Sequence, residues 1–243
     1  MRPYKSISSP GFFSIYIDDL IDLLRKSGVG CHMIRLFIAC ILFADDLALI
    51  APTRAALQKM MDICVSYCDK YCLSFNAKKS KVMLFGRSYN DPVLPLRISG
   101  VSLDFVDEWK YLGTTITGGR HLSFTARPDI SSFCRATNAV LSVLKGAHEH
   151  TLLSLLYSNC VPVLTYACSV KQYSASDMSD CNVAFNNALR KIFGFKDWRS
   201  IRDLREIFGF GSLHVIFKKA QDRFLENCRS HHNPIVKAIA ELS

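Results

Sequence analysis

The sequence predicts an α+β fold, with short strands and two helices in its first half and helices alone in its second. Three observations carry that prediction. Short apolar runs bounded by turn residues crowd residues 36–116. A helical period returns near residue 129 and holds to residue 228. With 49% hydrophobic residues among 243 and a mean hydropathy of +0.15, the chain can bury a sizeable core, which excludes wholesale disorder. Two lobes follow, 1–118 and 129–243, with the boundary in 117–128.

Taken in order, residues 12–26 place Ile15, Leu20, Leu23 and Leu24 at helical intervals and end in Arg25 and Lys26 before Gly28, which predicts an amphipathic helix. Residues 36–44 and 47–51 are apolar runs flanking Asp45 and Asp46, each short enough for a buried strand. They predict a β-hairpin of 36–43 against 47–50, with both carboxylates at its tip in solvent. Thr53 is placed to cap a helix through about Tyr71, with Leu57, Met60, Met61 and Cys64 facing inward. Short strands are expected at 73–75, 81–85, 96–98, 101–105 and 110–116, with a loop at 76–80 and turns at 86–95. The second half divides into helices at 131–145, 151–157, 177–193, 199–208 and 213–228.

Thirty Lys and Arg against 21 Asp and Glu give a net charge of +9. The excess is +5 in residues 1–90 and +4 in 171–243, whereas 91–170 are neutral. Two basic ends suit a phosphate backbone, and ordinary solvated helix faces are the alternative. The basic residues expected to touch nucleic acid are Lys78, Lys79 and Lys81 in the first lobe. In the second they are Arg190, Lys191, Arg199, Arg202 and Arg205.

Ten cysteines are many for this length, yet most sit in apolar company, as Cys40 does in Phe37-Ile38-Ala39-Cys40-Ile41-Leu42. Cys64, Cys68 and Cys72 recur every four residues along one helical stripe, where buried free thiols are the expected reading over a zinc site. Cys228, His231 and His232 lack a second ligand pair at zinc spacing and read as structural or surface residues. Residues 1–10 are polar and include Pro3 and Pro10, unlike a secretory leader. The expectation is an intracellular protein, nuclear or cytoplasmic, without disulfide-linked partners. No membrane span is expected, since the apolar run 36–44 is nine residues long and a bilayer needs roughly 20.

Two acidic pairs compete for a chemical role. Asp18 and Asp19 fall within a helical period, with Asp22 a turn later, and read as a solvated helix face. Asp45 and Asp46 stand between strongly apolar strands, where folding alone asks for no charge. Adjacent anions there call for a compensating cation, and magnesium, which prefers oxygen ligands, is the natural one. Nucleotidyl-transfer enzymes use two such ions to stabilise the attacking and leaving oxygens.

Phe43-Ala44-Asp45-Asp46 between apolar strands resembles the [FY]-x-D-D palm hairpin of reverse transcriptases. Ser9-Pro10, Phe13 and Ile15-Tyr16-Ile17-Asp18-Asp19-Leu20 resemble the segment that precedes this hairpin in LINE-type, non-LTR retrotransposon enzymes. Asn76-Ala77-Lys78-Lys79-Ser80 resembles their N-x-x-K-[ST] segment, and Trp109-Lys110-Tyr111-Leu112-Gly113 their primer-grip turn. The four stand in the family's order across residues 6–118. The resemblance implies a truncated polymerase palm followed by a helical thumb-like region, derived from an RNA-directed DNA polymerase.

Under that resemblance Asp45 and Asp46 are the catalytic, metal-binding carboxylates for magnesium or manganese. Lys79 stands near the nucleotide triphosphate, and Tyr111, Leu112 and Gly113 hold the primer end. A lysine solvated among Lys78 and Lys81, and a buried strand leading into a glycine turn, are the ordinary alternatives. The implied partners are an RNA template with a DNA primer, or an RNA–DNA hybrid. The family's fingers and first palm strand, which brings another metal-binding aspartate, would lie upstream of Ser9. The Q-G-G that usually precedes Ser-Pro would fall at residues 4–6, which read Tyr4-Lys5-Ser6. The expectation is a chain inactive by itself. A non-catalytic nucleic-acid-binding remnant, or a helical interaction module on 129–243, are the competing readings.

Overall fold

The computed structural model describes residues 9–33, 36–86, 94–171, 173–195, 201 and 211–241, with the side chains of 9–16 and 239 outside that description. The fold is α+β, as expected. Contacts divide it into two compact units, Met1–Val106 and Asp107–Ser243.

The first unit opens with α1 (Ser9–Lys26), whose last turn carries Arg25 and Lys26 against the helix dipole. Strands β1 (His32–Met33) and β2 (Leu36–Phe37) make a small antiparallel ladder. β3 (Cys40–Phe43) and β4 (Asp46–Leu49) form the hairpin. The expected first strand, 36–43, is therefore two pieces. Ala39 is completely buried, and its carbonyl accepts from Ile50 N at 2.8 Å, outside the hairpin ladder. Gly30 is required beside it: its φ is +103°, and a Cβ there would stand 2.4 Å from that of Ala39.

Helix α2 (Arg54–Lys70) begins as the sequence predicts, with the Thr53 hydroxyl accepting from Ala56 N. Ile17, Leu20 and Leu24 of α1 pack with Met60, Cys64 and Tyr67 of α2, and the inner face of the hairpin (Leu42, Leu47, Leu49) closes this core. On the other side of α2, Met61 packs with Val82, Leu96, Ile98 and Leu103. Those last residues belong to or adjoin β5 (Lys81–Val82), β6 (Arg97–Ile98), β7 (Val101–Ser102) and β8 (Asp104–Phe105). β5 pairs with β8 in parallel and β6 with β7 antiparallel. No strand forms at 73–75. Instead Cys72 turns to φ +55° and Leu73 N bonds the Cys68 carbonyl at 2.9 Å, so this backbone closes the helix end. The same turn leaves Cys72 exposed, whereas Cys64 and Cys68 are buried.

The second unit starts with β9 (Glu108–Tyr111), β10 (Thr114–Thr117) and β11 (Ser123–Phe124), an antiparallel sheet in the order β11-β10-β9. The single strand expected at 110–116 is thus a hairpin around Leu112 and Gly113. Helices α3 (Arg127–Val143) and α4 (Glu149–Leu155) follow, then a π-helical turn, Leu156–Cys160, and α5 (Val161–Leu164). In the wide turn Val161 N reaches Leu156 O, five residues back. This spares the Ser158 carbonyl a clash with the Pro162 ring. Helix α6 (Ala175–Phe193) has a reciprocal cap between Ser174 and Asp177 and ends on Gly194 at φ +66°. Then come α7 (Leu213–Arg229) and α8 (Pro234–Glu241), the latter absent from the sequence reading. Phe133, Leu164, Phe185, Leu189, Leu213 and Phe217 form the centre of this core. The helix expected at 199–208 lies outside the described residues, Ile201 excepted.

Candidate metal and nucleic-acid site

The hairpin sets the geometry of the acidic pair. Cys40 faces Leu49, Ile41 faces Ala48, Leu42 faces Leu47 and Phe43 faces Asp46, which leaves Ala44 and Asp45 as a two-residue turn. Such turns need a positive φ to match strand twist, and Ala44 supplies it at +51°. Leu42 and Leu47 point to the core, whereas Ile41 and Phe43 are exposed, Phe43 to 62%. Asp45 and Asp46 are both exposed, so water hydrates them and their adjacency is tolerated without a partner side chain. Asp18 and Asp19 sit on α1, exposed, as expected.

Two adjacent solvated carboxylates on a stiff turn suit magnesium, which commonly takes one or two carboxylates and fills its other positions with water or phosphate oxygens. Among the described residues there is no group of three His, Cys, Asp or Glu placed to hold a metal ion. A cavity of about 560 Å³ in the first unit lies between α1 and α2 and includes neither hairpin carboxylate. Asp19, Asp22 and Asp62 line it together with Lys26, Lys59 and Lys70, a balanced set that favours neither sign of ligand.

The lysine turn is built by Asn76. Its carbonyl accepts from Lys79 N, Ser80 N and the Ser80 hydroxyl, each at 3.0 Å, and its side-chain oxygen receives Lys79 N at 3.3 Å. The turn holds Lys78 and Lys79 in solvent. Lys81 differs: it starts β5 and its ammonium is ion-paired with Asp104 across the β5–β8 ladder. In the second unit, Arg190 donates to Asn187 at 2.7 Å and Lys191 to Asn138 at 2.9 Å. Arg199, Arg202 and Arg205 lie outside the described residues.

Tyr111 and Thr114 close the second hairpin turn, with Leu112 at φ +45° and Gly113 at φ +78°. Tyr111 is half-buried and its hydroxyl oxygen lies inside the unit. Sequence reasoning missed Tyr166, whose hydroxyl donates to the Leu112 carbonyl at 2.8 Å. No short-range pattern links two residues 54 positions apart.

Burial pushes the thiols up rather than activating them. Desolvation raises Cys40 to about 11, and desolvation, then the neighbouring Cys40 and Cys68, raises Cys64 to about 12. None of these is a nucleophile near neutral pH.

Residues 5–116 match the family described as reverse transcriptase (RNA-dependent DNA polymerase). The chain is also similar to the "Probable RNA-directed DNA polymerase from transposon BS" of Drosophila melanogaster, 24% identical over 213 residues. That alignment covers 81% of this chain and 23% of the relative, so the chain spans about a quarter of that protein's length. No helix among the described residues is long and apolar enough to cross a membrane.

Proposed function

We propose that this chain is part of the reverse transcriptase of a LINE-type retrotransposon, working on an RNA template and a DNA primer. The observation that carries the reading is the β3–β4 tip, where Asp45 in the two-residue turn and Asp46 at the start of β4 are both exposed to water. Magnesium bound there would offset charge developing on the transferred phosphate. The chain's own residues do the positioning. Asp45 and Asp46 would hold the ion, and Lys79 would meet a triphosphate oxygen from the turn that Asn76 shapes. Tyr111, Leu112 and Gly113 would hold the primer end, while Lys78 and the second unit's basic residues would meet the backbone.

A second reading, nucleic-acid binding without polymerisation, draws on the hairpin having only two carboxylates of its own. Two measurements on polypeptide 1–243 separate these readings from a helical interaction module. Manganese should broaden the amide resonances of residues 43–47, and Asp45→Asn with Asp46→Asn should abolish the effect. Affinity for an RNA–DNA hybrid should fall steeply with salt, and Lys78→Ala with Lys79→Ala should reduce the logarithmic slope by about 2. Broadening without hybrid binding removes the template–primer reading. Binding without broadening leaves the non-catalytic one. Neither result would leave the interaction module in possession.

A further inference from the structure

We infer that Tyr166 is a positioning residue for the Leu112–Gly113 turn, so that the helical part of the second unit sets the geometry of the loop read above as the primer contact. The inference rests on that reading of the turn.

The hairpin β9–β10 needs two consecutive positive φ values, since Tyr111 faces Thr114 and only Leu112 and Gly113 lie between them. Glycine takes that conformation freely. Leucine does not, because its Cβ crowds the following carbonyl. A strained residue persists where its surroundings hold it, and Tyr166 is the group that does so here. Its hydroxyl donates to the Leu112 carbonyl at 2.8 Å. Its ring also covers Gly113 closely: a Cβ built on that glycine would meet ring carbon Cε1 at 3.1 Å and the hydroxyl at 3.4 Å. The turn is thus bound at one residue and covered at the next.

Tyr166 is itself fixed from behind. It follows α5, and the Lys171 ammonium stands 5.9 Å from its ring centroid. Lys171 is buried and anchored to Asp129 of α3 at 2.6 Å. One line of contacts therefore runs from α3 through Asp129, Lys171 and Tyr166 to the turn. The tyrosine remains 52% exposed, as a group bordering a ligand surface would be.

The test is Tyr166→Phe in polypeptide 1–243, which keeps the ring over Gly113 and deletes only the hydroxyl. Two readouts are needed: amide hydrogen exchange at residues 112–114 of the free protein, and affinity for an RNA–DNA hybrid with a recessed primer 3′ end against the same hybrid blunt-ended. The expected result is exchange about five- to tenfold faster, the loss of one net hydrogen bond, with a comparable loss of preference for the recessed end. The thermal midpoint of the second unit should fall by only a few degrees, the shift expected for one hydrogen bond. Unchanged exchange overturns the positioning role whatever the nucleic acid does. Faster exchange with the recessed-end preference intact separates the tyrosine from primer contact and overturns the inference too. Wild-type protein with no recessed-end preference removes the underlying reading of the turn, while the exchange data still report whether Tyr166 holds it.

Discussion

The ammonium of Lys171 stands 2.6 Å from a carboxylate oxygen of Asp129, and the two side chains are only 1% and 13% exposed. Tyr173 donates its hydroxyl to the same oxygen at 2.8 Å. That arrangement keeps the tyrosine protonated, since desolvation first and the Asp129 bond second push its pKa far up. Removing one partner leaves an uncompensated buried charge, so Asp129→Ala should cost about 3–5 kcal/mol. Replacing both, as Asp129→Leu with Lys171→Met, should recover most of that loss, because an apolar pair of similar volume avoids the desolvation penalty. Urea titration of the three proteins measures it. A single mutant within about 1 kcal/mol of wild type would mean that the pair is not a buried one.

A second outcome concerns Ala44. A non-glycine residue in the left-handed region carries strain of roughly 1–2 kcal/mol, and Ala44 at φ +51° sits there in the β3–β4 turn. Ala44→Gly should therefore raise stability by about 1 kcal/mol, the strain relieved less the extra unfolded-state entropy of glycine. Ala44→Val should lower it, since β-branching makes that φ worse. Thermal melts decide the point, and a Gly variant less stable than wild type would contradict the turn geometry.

Much of the first unit was legible because its signals are local. Thr53 before an apolar helical period marks a cap, and the apolar–acidic–apolar order around Asp45 and Asp46 marks a hairpin tip. The β9–β10 turn was blurred for a physical reason. Leu112 is not a turn former, so by composition 110–116 reads as one continuous strand, and only the resemblance to the primer-grip segment marks a turn at Leu112 and Gly113. Segment 73–75 carries strand-like composition, yet its backbone is consumed in ending α2. Lys81 reads as a free basic residue because its partner, Asp104, arrives 23 residues later through a parallel pairing. Lys171, Asp129 and Tyr166 gave no signal at all, since only tertiary packing joins them.

A third outcome is alkaline labilisation of the first unit. Cys64 has its pKa pushed from 9.0 to about 12 in the folded protein, and Cys40 to about 11. Below pH 9 both states keep the thiol protonated, so the stabilising contribution is complete. Above it the unfolded chain binds fewer protons than the folded one, and stability falls until the folded thiols ionise near 11–12. The slope is about 1 kcal/mol per pH unit for each thiol. Urea midpoints at pH 8 and pH 10.5 should converge in a Cys64→Ala variant relative to wild type. Equal pH slopes in the two proteins would show that Cys64 titrates alike folded and unfolded.

The last outcome is that polypeptide 1–243 by itself does not extend a primer. Two-metal nucleotidyl transfer needs enough carboxylates to hold both ions and to align the primer hydroxyl with the incoming nucleotide. The β3–β4 tip contributes Asp45 and Asp46, and among the described residues no group of three His, Cys, Asp or Glu is placed to hold a metal ion. Asp18 and Asp19 have the register of α1, Asp22 is bonded to Arg25 at 2.6 Å, and Asp104 is held by Lys81. One hydrated magnesium site is compatible with the hairpin. The primer hydroxyl would still lack the second ion, at a cost of several kcal/mol in the transition state, and each 1.36 kcal/mol is about tenfold in rate. Extension on an RNA template with magnesium or manganese should therefore match that of an Asp45→Ala, Asp46→Ala double mutant. Adding an upstream segment that brings a further aspartate should then create activity that depends on Asp45. Clear extension by 1–243 alone, lost in the double mutant, would instead mean that a carboxylate within this chain completes the site.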